Sequence, residues 1–184
     1  MDRELVIRAG EGDHDAFARL AASSIGRLNA IARLILSDPS AAEDAVQDAL
    51  IEAWRDLRGL RNPDSFDAWL NRLLVRSCQD ARRKARRRWS IELPADFDRP
   101  DGADIQASIE IADYLDRGLH RLTVDQRAVL VLSFYLDMSQ ADAAAALGIP
   151  IGTLKSRISR ALDALRAAIA ADERRSLNRA ERPA

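Results

Sequence analysis

The chain has 184 residues, 47% hydrophobic but only 5% aromatic, with 28 Lys and Arg against 29 Asp and Glu for a net charge of −1. That length holds one ordinary domain or two small ones, and an Ala- and Leu-rich composition without alternating β-branched runs points to an all-α protein. The single cysteine, Cys78, excludes an internal disulfide, no apolar run approaches the ~20 residues of a membrane span, and affinity for nucleic acid has to come from charge sorted along the chain.

The opening M-D-R-E-L is not a signal peptide, so the expected location is the cytoplasm, without membrane insertion. A short helix from Arg3 to Ala9 is closed by Gly10 to Gly12. Asp13 then caps a longer helix reaching about Leu36, whose stripe is Phe17, Leu20, Ile25, Leu28, Ile31, Ala32 and Ile35. The turn S-D-P-S at Ser37 to Ser40 ends it.

Ser40 and Glu43 match a capping box and open a third helix to about Leu57, with Val46, Ala49, Leu50, Ala53, Trp54 and Leu57 on its buried side. The other side carries Glu43, Asp44, Gln47, Asp48 and Glu52. Carboxylates in a first turn favour the helix dipole, which accounts for Glu43 and Asp44. Asp48 and Glu52 lie beyond that turn, where a partner surface is the better explanation.

A loop from Arg58 to Ser65 contains Pro63, and Asp64 or Ser65 caps a fourth helix from Phe66. Phe66, Trp69, Leu70, Leu73, Leu74 and Ser77 or Cys78 share one face, which predicts a buried thiol. The helix runs into the basic block Arg82, Arg83, Lys84, Arg86, Arg87 and Arg88. Such a block is most often a solvated tail; on a well-patterned helix its charges sit on a rod able to track phosphates with salt-dependent affinity. Trp54, Trp69 and Phe66 fit core packing better than base stacking.

Residues 90–103 hold two prolines, a glycine and three aspartates and read as a flexible acidic linker. The expected organisation is therefore a first domain over 1–89, the linker, a second domain over 104–171 and a charged, fraying tail over 172–184. Helices are expected at 104–122 and, capped by Thr123, at 123–136, the latter offering Val129, Leu130, Leu132, Ser133 and Leu136.

Ser139 caps the next helix, and Gly148 stops it in a left-handed conformation. Pro150 opens another, along which Ile151, Leu154, Ile158, Leu162, Leu165 and Ile169 recur at helical spacing. At about 100° per residue, Gly152, Ser156, Ser159, Arg160 and Asp163 fall opposite that arc, with Lys155 and Arg157 on its shoulders. Short polar side chains flanked by cations suit a helix lying in a major groove. An ordinary amphipathic hairpin gives similar periodicity, but Ala144, Gly148 and Leu154 have helix-turn-helix spacing.

No cluster of His, Cys or paired carboxylates has ligand or triad spacing, and no Gly-rich phosphate loop occurs. Neither a catalytic activity, a metal, a cofactor nor a small-molecule substrate is expected. An autonomous, dimeric helix-turn-helix regulator is the alternative to a factor that bridges DNA and a protein machine.

The stretches A-E-D-A-V-Q-D-A-L-I-E-A-W-R (Ala42 to Arg55), F-D-A-W-L-N-R-L-L-V-R (Phe66 to Arg76) and L-G-I-P-I-G-T-L-K-S-R-I-S-R-A (Leu147 to Ala161) resemble bacterial sigma factors of the sigma-70 family, extracytoplasmic-function (ECF) group. The resemblance covers roughly residues 5 to 170. It implies a transcription initiation factor that binds core RNA polymerase and directs it to promoter DNA. By the same resemblance Asp44, Gln47 and Asp48, with Glu52 beside them, face polymerase. Asn62, Arg76, Gln79, Asp80 and Arg83 handle the minus-10 element, where extruding a base costs a few kcal/mol. Thr153, Lys155, Ser156, Arg157, Ser159 and Arg160 meet the minus-35 element. An anti-sigma factor is the further partner that the family implies. The alanine run Ala143 to Ala146 departs from the larger residues usual there.

Overall fold

The computed structural model describes residues 2–89 and 118–180, with the side chains of 86–89, 172, 173 and 175–180 left aside. Every regular element among the described residues is helical. The acidic linker and most of the helix expected at 104–122 lie outside them.

Four helices form the first module: α1 (Arg3–Gly10), α2 (His14–Leu36), α3 (Pro39–Asp56) and α4 (Phe66–Trp89). Asp2 caps α1, and Asp13 caps α2 by accepting from the Ala16 amide at 3.0 Å. Arg8 grips the same Asp13 carboxylate. The Ala16 amide and then Arg8 hold that carboxyl below the usual aspartate range. The cap of α3 differs from expectation. Asp38, and not Ser40, accepts from the Ser40 and Ala41 amides at 3.0 and 3.2 Å, with Pro39 in the first turn. Proline needs no amide partner there and has the right φ in advance, so the helix starts earlier than the Ser-x-x-Glu pattern suggests. In the loop ahead of α4, the capping bond is made by Asn62, and not by Asp64 or Ser65: Asn62 Oδ1 accepts from the Asp64 amide at 3.1 Å and starts a 3-10 turn, Pro63–Ser65.

The core of this module is Leu20, Leu28, Ile31 and Ile35 of α2, Val46 and Ala49 of α3, and Phe66, Leu70 and Leu74 of α4, all at 2% exposure or less. Each large aliphatic buried this way contributes about 1.5–3 kcal/mol. Alanines at 42, 45, 49 and 53 give α3 a smooth inner face, which allows the close helix approach that brings its outer edge near α4. Ile25, expected in the α2 stripe, is 46% exposed, and Ser24 takes the buried place. Cys78 is buried as expected, and burial pushes its thiol up to about 12.

The second module contains α5 (Val124–Leu130), continued by a π-helical turn at Val131–Tyr135, then α6 (Gln140–Leu147) and α7 (Ile151–Ala180). Thr123 and Gln126 complete a capping box on α5, and Ser139 caps α6. Gly148 ends α6 at φ 63°, leaving the Ile149 amide to reach back to the Ala144 carbonyl at 3.0 Å. Pro150 lies just ahead of α7, its carbonyl accepting the Leu154 amide. A Cβ at Gly118 would stand 2.9 Å from Leu165 Cδ1 and 3.1 Å from Ile169 Cγ1, so a larger residue there has to displace these side chains of α7. Ile151 is 46% exposed and leaves the expected stripe. The fraying expected after Ala171 is not seen, because α7 continues to Ala180.

The modules pack on each other, α5 against α2 and α6 against α4. Small buried residues, Ala143 and Ala144, allow α6 its close contacts.

Candidate functional site

Asp44, Gln47 and Asp48 stand exposed on α3, and Glu52 is half-buried beside them. At 100° per residue, Ile51 falls between Gln47 and Asp48, and it is half exposed, at 50%. The outward stripe is thus an aliphatic side chain flanked by carboxylates and an amide. Two cations from α4 lean onto it. Arg76 Nη1 donates to Glu52 Oε1 at 2.9 Å, and Lys84 Nζ lies 3.7 Å from Asp48 Oδ2. Between α3 and α4 runs a polar groove of 520 Å³ lined by Asp38, Asp44, Gln47, Asp48, Ala81 and Lys84 among others.

Arg76 therefore belongs spatially with the acidic stripe. Gln79 and Asp80 are half-buried on the next turn, and Asp80 accepts from Arg83 Nε at 3.0 Å. Asn62 is exposed but engaged in its turn, ahead of Phe66, where Arg3 holds Asp64 at 3.4 Å. From Phe66 to Arg83 the helix axis advances about 26 Å, so Asn62 and the Gln79–Arg83 group are not brought together.

On α7 the residues expected to meet DNA are accessible to different degrees. Lys155, Ser156, Ser159 and Arg160 are exposed, while Thr153 and Arg157 are half-buried. Leu154 and Ala161 anchor the opposite side at 0% exposure. Arg160 Nε donates to the Ser156 carbonyl at 3.1 Å, its Nη2 lies 3.3 Å from Ser156 Oγ, and Ser156 Oγ donates to the Thr153 carbonyl at 3.0 Å. This local chain holds the guanidinium along the face before any ligand arrives, reducing the ordering cost of a base or phosphate contact. A polar groove of 330 Å³ joins Thr153, Arg157 and Arg160 to Thr123, Asp125 and Gln126 at the start of α5. No group of three or more His, Cys, Asp and Glu is arranged to hold a metal among the described residues, and none of the described helices is long and apolar enough to cross a membrane.

Sequence reasoning missed Ile51, Asp125 and Arg127. Ile51 was findable, as an apolar residue out of register with the buried side of α3. Asp125 and Arg127 carry no local signal of their distant partners, Arg82 for the first and the Ile35 and Leu36 carbonyls for the second.

Residues 20–88 match the sigma-70 region 2 family model, and residues 112–165 match that of sigma-70 region 4. The ECF RNA polymerase sigma factor SigM of Mycobacterium tuberculosis is 36% identical over 160 residues, which span 87% of this chain and 80% of that protein. The RNA polymerase sigma factor CnrH of Cupriavidus metallidurans is 31% identical, over 93% and 95% of the two chains. Among solved structures, CnrH in complex with the cytosolic domain of CnrY superposes with a TM-score of 0.61 at 31% identity, covering 93% of this chain and 98% of that one. The sigma factor RpoE from Bartonella quintana, in complex with the anti-sigma factor NepR, gives 0.68 at 30%, covering 85% and 98%. The helical modules, their order and these similarities together place the chain in the sigma-70 family, among the ECF sigma factors.

Proposed function

We propose that this sigma factor joins core RNA polymerase through the outward stripe of α3, and reads promoter DNA through the distal half of α4 and the exposed face of α7. The observation that carries the reading is the sorting of side chains. Asp44, Gln47, Asp48 and Ile51 point outward from one helix, and Lys155, Ser156, Ser159 and Arg160 from another. Neither set is consumed in the core. An aliphatic centre ringed by polar groups is the anatomy of a protein interface. Short polar side chains with a pre-held arginine suit base edges and phosphates.

Within this reading the first domain spans residues 1–89, with 90–103 as linker and 104–171 as the second domain. Gln79, Asp80 and Arg83 approach the minus-10 element; Asn62 contributes by shaping its loop, and Arg76 by steadying Glu52. Thr153 and Arg157 border the minus-35 surface. The chain acts as an initiation factor without catalysis of its own, in the cytoplasm where polymerase works. An anti-sigma factor is its regulatory partner, as for the relative solved with the anti-sigma factor NepR. An apolar groove of 440 Å³ lined by Leu34, Leu130, Phe134, Tyr135, Leu162 and Leu165 among others is the exposed greasy surface such a partner has to cover.

Reconstituted transcription on a pool of promoters from the native genome tests the assignment. The Asp48→Lys variant is expected to lose association with core polymerase, whereas Lys155→Ala and Arg160→Ala retain association and lose start-site selection about tenfold each, the loss of ~1.4 kcal/mol of contact. Normal co-purification of Asp48→Lys with polymerase overturns the docking assignment. Tight operator binding by the chain alone would revive an autonomous regulator.

A further inference from the structure

From Trp54 to Asn62 the sequence W-R-D-L-R-G-L-R-N repeats every three residues: an apolar side chain, an arginine, then a small or polar residue. The structure follows that period. α3 ends at Asp56 and a 3-10 turn occupies Leu57–Gly59, a geometry in which side chains three apart eclipse. Leu57 is buried at 3% exposure, with Trp54 and Leu60 half-buried, whereas Arg55, Arg58 and Arg61 are exposed. One edge of the segment therefore seeks cover, and the other offers cations.

The cover comes from α1, which touches both this 3-10 turn and the second one, Pro63–Ser65. At its C-terminal end a Cβ on Gly10 would stand 3.9 Å from the Leu57 carbonyl oxygen. A Cβ on Gly12, at φ 101°, would stand 3.2 Å from Arg58 Nη2, so that guanidinium lies over the turn between α1 and α2. At its N-terminal end Arg3 Nε is 3.4 Å from Asp64 Oδ1. One helix of 8 residues, about 12 Å long, thus holds the entrance of the loop at one end and its exit at the other. The helix is itself anchored. Val6 and Ala9 are buried at 3% exposure, and Arg8 Nε donates to Asp13 Oδ2 at 2.9 Å, tying α1 to the cap of α2. Trp54, where the repeat begins, packs on Phe17 and His14 of α2 with ring centroids 5.0 and 4.5 Å away.

From this we infer that α1 is a positioning element for promoter recognition: with Arg3 on Asp64, and with the Gly10–Gly12 turn on Leu57 and Arg58, it sets the conformation in which the loop of residues 57–65 presents Arg58, Arg61 and Asn62 to the minus-10 element. The inference rests on the reading in which that loop takes part in handling this element. Bonds inside the loop do not fix its shape. The Leu60 amide donates to the Leu57 carbonyl and the Ser65 amide to the Asn62 carbonyl, both at 3.0 Å, and Asn62 Oδ1 accepts from the Asp64 amide at 3.1 Å. Each bond closes its own turn, so the spacing between the two turns is set from outside, by the helix that contacts both.

A loop that carries recognition works best when a rigid scaffold holds it near its bound conformation, because less ordering free energy is then lost on binding. The Arg3–Asp64 pair is the part of this scaffold that can be cut without hollowing a core. Its side chains are 64% and 66% exposed, and ion pairs in that setting add little to global stability. Breaking it frees the exit of the loop and leaves the fold as it was.

Amide hydrogen exchange on the full chain reads this brace without DNA or polymerase. Protection of the Leu60 and Ser65 amides is expected to fall about threefold in Arg3→Glu, the scale of an exposed ion pair, and to return in the charge-swapped Arg3→Glu/Asp64→Arg, with the melting temperature unchanged in both. Holoenzyme reconstituted with each variant then transcribes from a genomic promoter randomised at its minus-10 and minus-35 positions. Arg3→Glu is expected to lose about threefold of its discrimination among minus-10 bases and to keep that among minus-35 bases; the double variant regains the first. Unchanged protection, an equal loss at both elements, or a double variant no better than Arg3→Glu overturns the inference. Asn62→Ala tests the reading beneath it. A minus-10 profile flattened by Asn62→Ala but not by Arg3→Glu overturns the brace alone, whereas a profile that neither variant changes overturns the assignment of the loop and the inference with it.

Discussion

Ile51 separates docking from folding more cleanly than the carboxylates around it. Its side chain is half exposed and touches no core that its loss would hollow. Lone exposed aliphatics are ordinary on protein surfaces, but this one stands between Gln47 and Asp48 on a stripe otherwise polar. Burial of its outer carbons against a partner is worth about 0.8 kcal/mol per methylene. Ile51→Ala is expected to weaken association with core polymerase about ten- to fiftyfold, or 1.4–2.3 kcal/mol, with an unchanged melting temperature. Titration calorimetry or fluorescence anisotropy against purified core enzyme measures the first, and differential scanning fluorimetry the second. Equal affinity of the variant and the wild type would remove Ile51 from the interface. Arg160 belongs to the same scale: its bonds to Ser156 are local, four residues apart, which is why its exposed position on α7 was legible from helical spacing alone.

At the scale of elements, legibility followed how local the deciding interaction is. Asp13, Thr123, Ser139 and Gly148 were each read correctly because a cap is settled within three or four residues. The start of α3 was misread because two signals overlap, and the outcome depended on Pro39. This difference is measurable. Asp38→Ala removes both amide contacts and is expected to cost about 1 kcal/mol, while Ser40→Ala, which loses no hydroxyl bond seen in the structure, stays within ~0.5 kcal/mol of wild type. Chemical denaturation of the two variants decides between the caps, and the reverse ranking would restore the Ser-x-x-Glu box. Ile25 and Ile151 failed for another reason. Periodicity assigns a stripe to a helix in isolation, but the neighbours choose which part of it is covered. On α2 they chose Ser24, whose hydroxyl is buried without a partner; nothing in its own segment announces that.

For the whole molecule, the decisive contact was invisible in the sequence. A buried arginine near Thr123 looks like any other helical arginine, and its acceptors sit at the end of α2, on the far side of the linker. The sequence leaves the placement of the two modules relative to each other open, and in the structure they share a seam. The energetic consequence is cooperative unfolding. Hydrogen bonds to a charged donor are worth about 1.5–3 kcal/mol each, enough to couple two small modules that would otherwise melt separately. Scanning calorimetry of the wild type is expected to show one transition, with agreement between its calorimetric and van't Hoff enthalpies. Arg127→Met keeps an unbranched apolar stem of similar reach but donates nothing to Ile35, Leu36, Leu119 or Leu122. It should split the trace, the first module retaining a midpoint close to its original value and the second melting earlier. Loss of the donors to the C-terminal carbonyls of α2 alone would lower the midpoint without splitting it. A single, merely shifted transition in Arg127→Met would therefore mean that the arginine supports its own module and does not join the two.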